Sequence, residues 1–399
     1  MTSLAQHPEL TDYAPARLRR ARRSVFLTFA IAGVGMAAWV PRIPEIKSHL
    51  DLSAGTLGVA LLGPALGALI AMTIVPTVAT RLGTAAATRA FTALYLLLIW
   101  LPGLSQSFPE LLGLLLLTGL GIGGMDVAMN SQAVSVEKAY GRPLMSGFHA
   151  AWSLGSLLGA AIGTAGAAGH VPIALQQAIL CAVVAVVFVP VARGFLADPT
   201  QREPAPVAED ARVRRFDILS LRLVLLGLGG IAAMLAEGSV GDWSGILLRD
   251  SLHAGPGLVG LGFVAFMATQ TSGRLLGDRF VLRVGRIKAI ATVSLIGSVG
   301  LAAGMGTHTL VGTVIGFALL GIGVSITVPL SISAAADGHA NAGPSIALVS
   351  SFSYTGFLIG PTAIGFFAQA TSVPTALWLV PFIVAAGGGA VICAMRRPQ

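Results

Sequence analysis

The stretch "GLGIGGMDVAMNSQAVSVE", residues 119 to 137, has the glycines and aliphatics of a helix set in hydrocarbon, yet it holds Asp126, Asn130 and Gln132. An Asp at the centre of a membrane helix costs roughly 2.5 to 3.5 kcal/mol by insertion scales, so a carboxyl kept there points to a task. The surroundings decide whether this stretch lies in a membrane. Of 399 residues, 55% are hydrophobic and 11% are charged, where soluble domains carry about 25% charged residues. Apolar runs persist for about 20 residues, enough to cross about 30 Å of hydrocarbon, whereas buried strands run for about 4 to 8. Twelve such runs can be read, at roughly 22–44, 55–79, 86–104, 109–135, 146–168, 173–195, 221–247, 257–277, 287–305, 309–335, 345–368 and 373–395. The expected fold class is an all-α membrane protein with twelve transmembrane helices in two pseudo-symmetric six-helix bundles.

An even number of spans puts both termini on one side. All of the 25 Lys and Arg residues fall beside connections on that side except Arg42, Lys47 and Arg249. Basic residues mark the cytoplasmic face, so a multi-pass protein of the bacterial inner membrane with both termini in the cytoplasm is expected. The net charge of +8 then follows from topology and calls for no nucleic acid. The Arg-rich start resembles a signal peptide, but the apolar run behind it outlasts a 7–15-residue core and lacks a small-residue cleavage site, so the first span is retained. Cys181 and Cys393 stand apart from each other and from histidines at ligand spacing. They read as packing residues, and neither a metal nor a cofactor is expected.

The segment "LADPTQREPAPVAEDARVRRFD", residues 196 to 217, is the one long polar, Pro-containing stretch between spans. It sets the expected organisation: an N-terminal six-helix bundle at 1–195 with a basic tail, a linker at 196–220 and a C-terminal six-helix bundle at 221–399. The halves resemble one another. "LGIG" stands at 120–123 and 320–323, Gly155, Gly159 and Gly163 match Gly356, Gly360 and Gly365, and Trp39 matches Trp243, all at offsets of 200 to 204 residues. Two parallel repeats with a site between them at mid-membrane form a transporter architecture. Glycines four apart form a stripe that lets a neighbouring helix approach closely, so packing is their main expected role.

The segment "GRLLGDRFVLRVGR", residues 273 to 286, reads as the connection between the eighth and ninth spans. It resembles the signature of the major facilitator superfamily, with Gly277, Asp278, Arg279, Gly285 and Arg286 carrying the match. The partner connection, "TVATRLGTAAATR", residues 77 to 89, keeps Arg81, Gly83 and Arg89 but has Thr80 where the acid would stand. The resemblance implies a conformational latch at Arg81, Gly277, Asp278, Arg279 and Arg286. Asp126 followed by Asn130 resembles the fucose-permease branch of sugar/H⁺ symporters, and "GRPLMSGFHAAWSLGSLLGA", residues 141 to 160, resembles bacterial inner-membrane proteins near it. That branch uses acids in the first and fourth spans. Here the first span holds only Arg42 and Glu45 near its end, so only the fourth-span role carries over, to Asp126. "GFLIGPTAIG", residues 356 to 365, resembles the glycine–proline motif of drug/H⁺ antiporters, though that motif belongs in the fifth span.

Low dielectric disfavours the charged form of a carboxyl, which suits Asp126 to exchanging protons. The structural alternative is that Asp126 accepts hydrogen bonds from a neighbouring helix. Asn130 lies one turn on, on the same face. His149 and Trp152, three apart in the fifth span, offer an imidazole and an indole N–H to a polar solute, or else an interfacial aromatic and a loop cap. Glu237 and Asp242 are candidates from the seventh span, and Gln270 from the eighth. The two acids lie about 140° apart on an ideal helix, so they share a face only if the helix breaks near Gly238 and Gly241. Arg42 can pair with Glu45 beside Pro41 and Pro44, or the two can be solvated separately. Asp337, Gly338 and His339 read as an ordinary loop.

No "GxxxxGK[ST]" phosphate loop occurs, and seven scattered histidines with two isolated cysteines make no catalytic cluster, so neither an ATP-driven pump nor an enzyme is expected. The expected protein is a monomeric secondary transporter. Its partners are a small polar organic solute, sugars included, protons and the lipid bilayer, and it works by alternating access. Proton-coupled efflux of an amphipathic compound is the alternative direction, and a non-transporting sensor the alternative class.

Overall fold

The computed structural model describes residues 13–141, 144–197, 220–337 and 343–397, and every regular element among them is helical. The long segments are helical because hydrocarbon offers backbone N–H and C=O groups no partner, and a helix satisfies them within itself. In the N-terminal half these are α1 (Pro15–Trp39), the short α2 (Ile43–His49) and α3 (Ala54–Ala60), α4 (Leu62–Leu82), α5 (Thr84–Leu98), α6 (Phe108–Tyr140), α7 (Met145–Ala168) and α8 (Ile173–Ala192). The C-terminal half holds α9 (Leu221–Ile246), α10 (Leu261–Val284), α11 (Arg286–Gly306), α12 (Leu310–Val324), α13 (Thr327–Ala336), α14 (Gly343–Ala370), α15 (Val373–Leu377) and α16 (Leu379–Arg396). Among the described residues, ten segments are long and apolar enough to cross a membrane by length and composition. The other two expected spans are α10, which carries Arg274, Asp278, Arg279 and Arg283, and α14, which is rich in Ser, Thr and Gly; at 24 and 28 residues both are long enough.

Starts and stops follow local chemistry. Ser53, Ser220, Thr309 and Ser372 each accept a backbone N–H from the first turn of the helix they precede, relieving one of its unpaired donors. Gly141, left-handed at φ 65°, ends α6. Two boundaries differ from expectation. The segment 273–286 is helix through Val284, and only Gly285, at φ 83°, connects α10 to α11. Gly83, at φ 86°, alone joins α4 to α5. Charged residues there suggest connections, but the i to i−4 backbone bonds of a helix form whatever its side chains are.

Contacts divide the chain into two compact units. The first takes in the described parts of Met1–Ala37, Gly63–Gly159 and Pro172–Pro206; the second takes in those of Ala38–Leu62, Ala160–Val171 and Val207–Gln399. The first packs around Phe29, Phe91, Tyr95, Met125, Met129 and Phe148, with Cys181 among its buried residues. The second includes a core of Leu226, Ile290, Val293, Ile326, Val349 and Val391; Cys393 is exposed rather than packed. Large apolar side chains such as Val186, Leu282 and Phe382 point outward, as lipid-facing surfaces require. Of the expected linker, residues 198–219 lie outside the described residues, as do Arg142, Gly338 and His339.

Glycine contacts repeat from one half to the other. A Cβ on Gly155 would meet the carbonyl oxygen of Ala30, and one on Gly356 that of Ile231; Gly159 meets Val34 where Gly360 meets Leu235. Each pair is shifted by 201 residues. Gly119 abuts the Pro64 carbonyl, and Gly321 that of Phe266, at a shift of 202. The glycine stripes are therefore backbone-to-backbone contacts, α7 on α1 and α14 on α9, α6 on α4 and α12 on α10.

Candidate functional site

Asp126 is half-buried on α6. The Asn130 amide donates to the Asp126 carbonyl at 2.9 Å and to its carboxylate Oδ1 at 3.1 Å. This bond stays within one helix, and among the described residues no neighbouring helix donates to the carboxyl. Six residues on, the fully buried Gln132 does tie segments together. Its Nε2 donates to Thr84 Oγ1 at 2.6 Å and to the Leu196 carbonyl at 2.9 Å, and its Oε1 accepts the Leu196 N–H at 3.1 Å.

On α7, His149 is exposed and meets the Phe29 ring edge-on at 5.3 Å. Trp152 is half-buried, its backbone oxygen against Gly33 of α1. Both sit where α7 presses closely on α1.

In the second unit, Glu237 of α9 and Gln270 of α10 come together. Gln270 is buried, and its Nε2 donates to Glu237 Oε2 at 2.7 Å. Arg274, one turn further along α10, reaches the same Oε2 at 3.3 Å. Arg274, one of the basic residues expected to flank the connection after the eighth span, lies well inside the helix, about 15 Å from the end at Val284 at roughly 1.5 Å per residue. Asp242 is half-buried and has no hydrogen-bond or ionic partner among the described residues. Since α9 is unbroken from Leu221 to Ile246, Glu237 and Asp242 stay on different faces, and the break that would bring them together does not occur. A π-helical turn at Leu247–Ser251 follows instead.

The residues implied as a latch separate into three groups. Arg81, Asp278 and Arg279 are exposed, with no bonded partner among the described residues. Gly277 is a packing position, where a Cβ would meet the Ile326 side chain at 2.5 Å. Arg286 alone is engaged: its Nη1 lies 2.6 Å from Asp337 Oδ2 and its Nη2 donates to Ser333 Oγ at 3.3 Å. Arg222 joins them, donating to the Ala334 carbonyl at 2.8 Å and standing 4.0 Å from Asp337. Asp337, read as an ordinary loop residue, thus joins α9, α11 and α13. Arg286 and Asp337 also line a cavity of about 480 Å³, together with Val284, Gly285, Ile287, Lys288 and Met395.

A second ionic group gathers where α1 ends. Arg42 is 1% exposed and holds Glu45 through two contacts of 2.7 Å, while its Nη2 donates to the Val171 carbonyl at 2.6 Å. The pair exists and is more buried than flanking prolines in a loop would suggest. Lys47 reaches Asp250 at 2.8 Å, Arg249 donates to the Pro44 carbonyl, and the Thr362 hydroxyl donates to the Gly58 carbonyl at 3.0 Å. No group of His, Cys, Asp and Glu suited to a metal occurs among the described residues.

No family model matches the chain. An uncharacterized MFS-type transporter of Yersinia pestis is 33% identical over 364 residues, 90% of this chain and 92% of that protein. An uncharacterized transporter of Sinorhizobium fredii is 33% identical over 92% of this chain and 97% of its own length. The membrane protein MosC of Rhizobium meliloti is 28% identical over 91% of this chain and 87% of its own. Among solved structures, a bacterial homolog of the human lysosomal transporter Spinster superposes with a TM-score of 0.74 at 13% identity, covering 96% of this chain and 98% of that one. The nucleoside transporter NupG superposes with a TM-score of 0.72 at 11% identity, over 96% and 100%. Those structural matches carry the twelve-helix fold alone, whereas one-third identity along nine-tenths of the sequence carries kinship: the chain belongs to the major facilitator superfamily and is a membrane transporter, not an enzyme.

Proposed function

We propose that this protein is a secondary active transporter that carries a small polar organic solute, of the size and polarity of a sugar, across the bacterial inner membrane together with protons. Both termini lie in the cytoplasm, and each six-helix bundle, 1–195 and 221–399, moves largely as a body. Asp126 is the proton-coupling carboxyl. Asn130, His149 and Trp152 in the N-terminal half and Glu237 and Gln270 in the C-terminal half contact the solute, Asp242 standing on another face of α9. Arg81, Gly277, Asp278, Arg279 and Arg286 belong to the conformational latch.

One observation carries the coupling role. Asp126 is a partly exposed carboxyl in the middle of a membrane helix whose hydrogen bond is to Asn130 of the same helix. A carboxyl serving only to hold helices together would bond across to a neighbour, as Gln132 does. Coupling needs proton and solute to favour the same conformation, so that each biases the other's movement.

The test uses purified protein in proteoliposomes with a solute identified by screening labelled compounds. The Asp126→Asn variant is expected to lose accumulation driven by a pH gradient while keeping exchange of labelled for unlabelled solute. Undiminished uphill transport in that variant removes Asp126 from the coupling step. The sign of the flux under an imposed gradient separates uptake from efflux.

A further inference from the structure

Arg274 is a guanidinium held inside a membrane helix by one contact. Placing it there costs several kcal/mol unless it pairs or faces water. A guanidinium has five N–H donors in a planar fork that fits a carboxylate with two parallel bonds. Here one nitrogen reaches one oxygen of Glu237, at 3.3 Å, and Arg274 has no other partner among the described residues. That same oxygen is held more closely, at 2.7 Å, by Gln270. The side chains of Arg274 and Glu237 are 36% and 22% exposed, so both can be reached. A pair built only to join α9 to α10 would use the fork fully and bury it. This one leaves most of its donors unspent.

We propose that the transported solute is an organic anion whose carboxylate docks on Arg274, and that Glu237, displaced from the guanidinium, takes up one proton. This rests on the reading of the chain as a carrier of a small polar solute and narrows that solute's class. The empty pair is neutral; an added anion makes it −1, and protonation of Glu237 restores neutrality, so anion and proton enter together with no other bond made or broken. Gln270 serves both states. Its N–H donates to the ionised carboxylate, and its carbonyl oxygen, buried and without a partner, accepts the O–H of the protonated acid once the amide turns over.

Among the described residues, no other titratable group is bonded to Glu237 or Arg274. Among the elements packed on α9 and α10, α12, α13 and α15 carry no acid, base or histidine, and α14 adds only Tyr354. On α2, Glu45 and Lys47 are engaged with Arg42 and Asp250, and His49 is its last residue. Arg286 and Lys288 begin α11, and Cys393 and Arg396 lie in the last turn of α16. Asp242 is on another face of α9, and Asp278, Arg279 and Arg283 follow in the last turns of α10.

The experiment measures binding to the purified full-length protein at pH 6 and pH 8, by melting temperature and titration. The ligands are matched pairs: glucuronate with glucose, galacturonate with galactose, and lactate with propane-1,2-diol. At least one acid is expected to bind while its neutral partner does not, with affinity rising by up to about tenfold per pH unit as pH falls, the limit for one linked proton. Arg274→Gln is expected to lose binding at least tenfold, and Arg274→Lys, which keeps the charge beside Glu237 but not the fork, to weaken it while staying folded. Glu237→Gln, a mimic of the protonated acid, is expected to bind with a pH dependence shallower than that of the wild type, the remainder being what Asp126 contributes. Neutral partners binding as tightly as the acids would overturn the anion class while leaving the carrier reading intact. Undiminished acid binding in both Arg274 variants, or no binding by any acid, would overturn it as well.

Discussion

Gly83 and Gly285 hold nearly one backbone conformation, φ 86° and ψ 154° against φ 83° and ψ 155°, and each is the sole residue joining two membrane helices. Beside Gly83, the buried amide of Gln132 joins Thr84 to Leu196. Beside Gly285, Arg286 joins Asp337 across side chains that are 44% and 38% exposed. The repeat therefore conserves the turn but not the chemistry that fastens it. A neutral network out of reach of solvent costs its full desolvation to break. An exposed ion pair is worth about 0–1 kcal/mol and weakens with salt. The N-terminal tie is suited to permanence and the C-terminal one to release.

The packing shared by both halves should break equally in both. Gly155→Leu and Gly356→Leu each drive a side chain into a carbonyl of the facing helix, where even a Cβ meets Ala30 or Ile231 oxygen. Overpacking costs about 1–3 kcal/mol or more, and with backbone on both sides the larger figure applies. Each variant is expected to melt well below the wild type in detergent, by similar amounts. A large loss from one and none from the other would mean that the two glycine contacts do not play the same part.

Sequence revealed what the bilayer dictates and little of what distant residues do for one another. Hydrocarbon thickness fixes span length, so the helices were legible, and a duplicated packing face repeats its small residues, so Gly155 and Gly356 announced the repeat. The stretch from Arg274 to Arg283 looked like loop because its side chains are charged, although helix bonding there runs on to Val284. Gln132 was visible as a polar residue in a span, but Thr84 and Leu196 are far from it in sequence. Arg274 was lost among topological charges, and only the contact with Glu237 separates it from them. Asp337 needed Arg286 and Arg222 in space before it could be read at all.

The next effect sharpens the contrast between the two ties. Gln132→Leu keeps the volume and removes three hydrogen bonds, leaving the Leu196 N–H and C=O without their buried partner. The expected loss is about 1–3 kcal/mol, read as a lower melting temperature that does not change between 0.05 and 1 M NaCl. A salt-dependent loss would show that this region is wetter than the geometry implies.

The smallest effect is the most diagnostic. Asp337→Asn removes the charge facing Arg286 and Arg222, but Arg286 keeps Ser333 and Arg222 keeps the Ala334 carbonyl, so the fold has other anchors. The expected cost is below about 1 kcal/mol at low salt and absent at 1 M NaCl, where screening acts within roughly 3 Å. Exchange of the charges, Arg286→Asp with Asp337→Arg, restores one pair but sets the new guanidinium against Arg222, so it is expected to recover only part of that loss. If the tie opens in each cycle, as proposed for the latch, transport should respond more than stability does, because the tie then sets how often the protein occupies each state rather than whether it folds. If Asp337→Asn instead costs as much as Gln132→Leu at every salt concentration and leaves the transport rate untouched, the ion pair is structural, and the two ends of the repeat differ in side chains without differing in role.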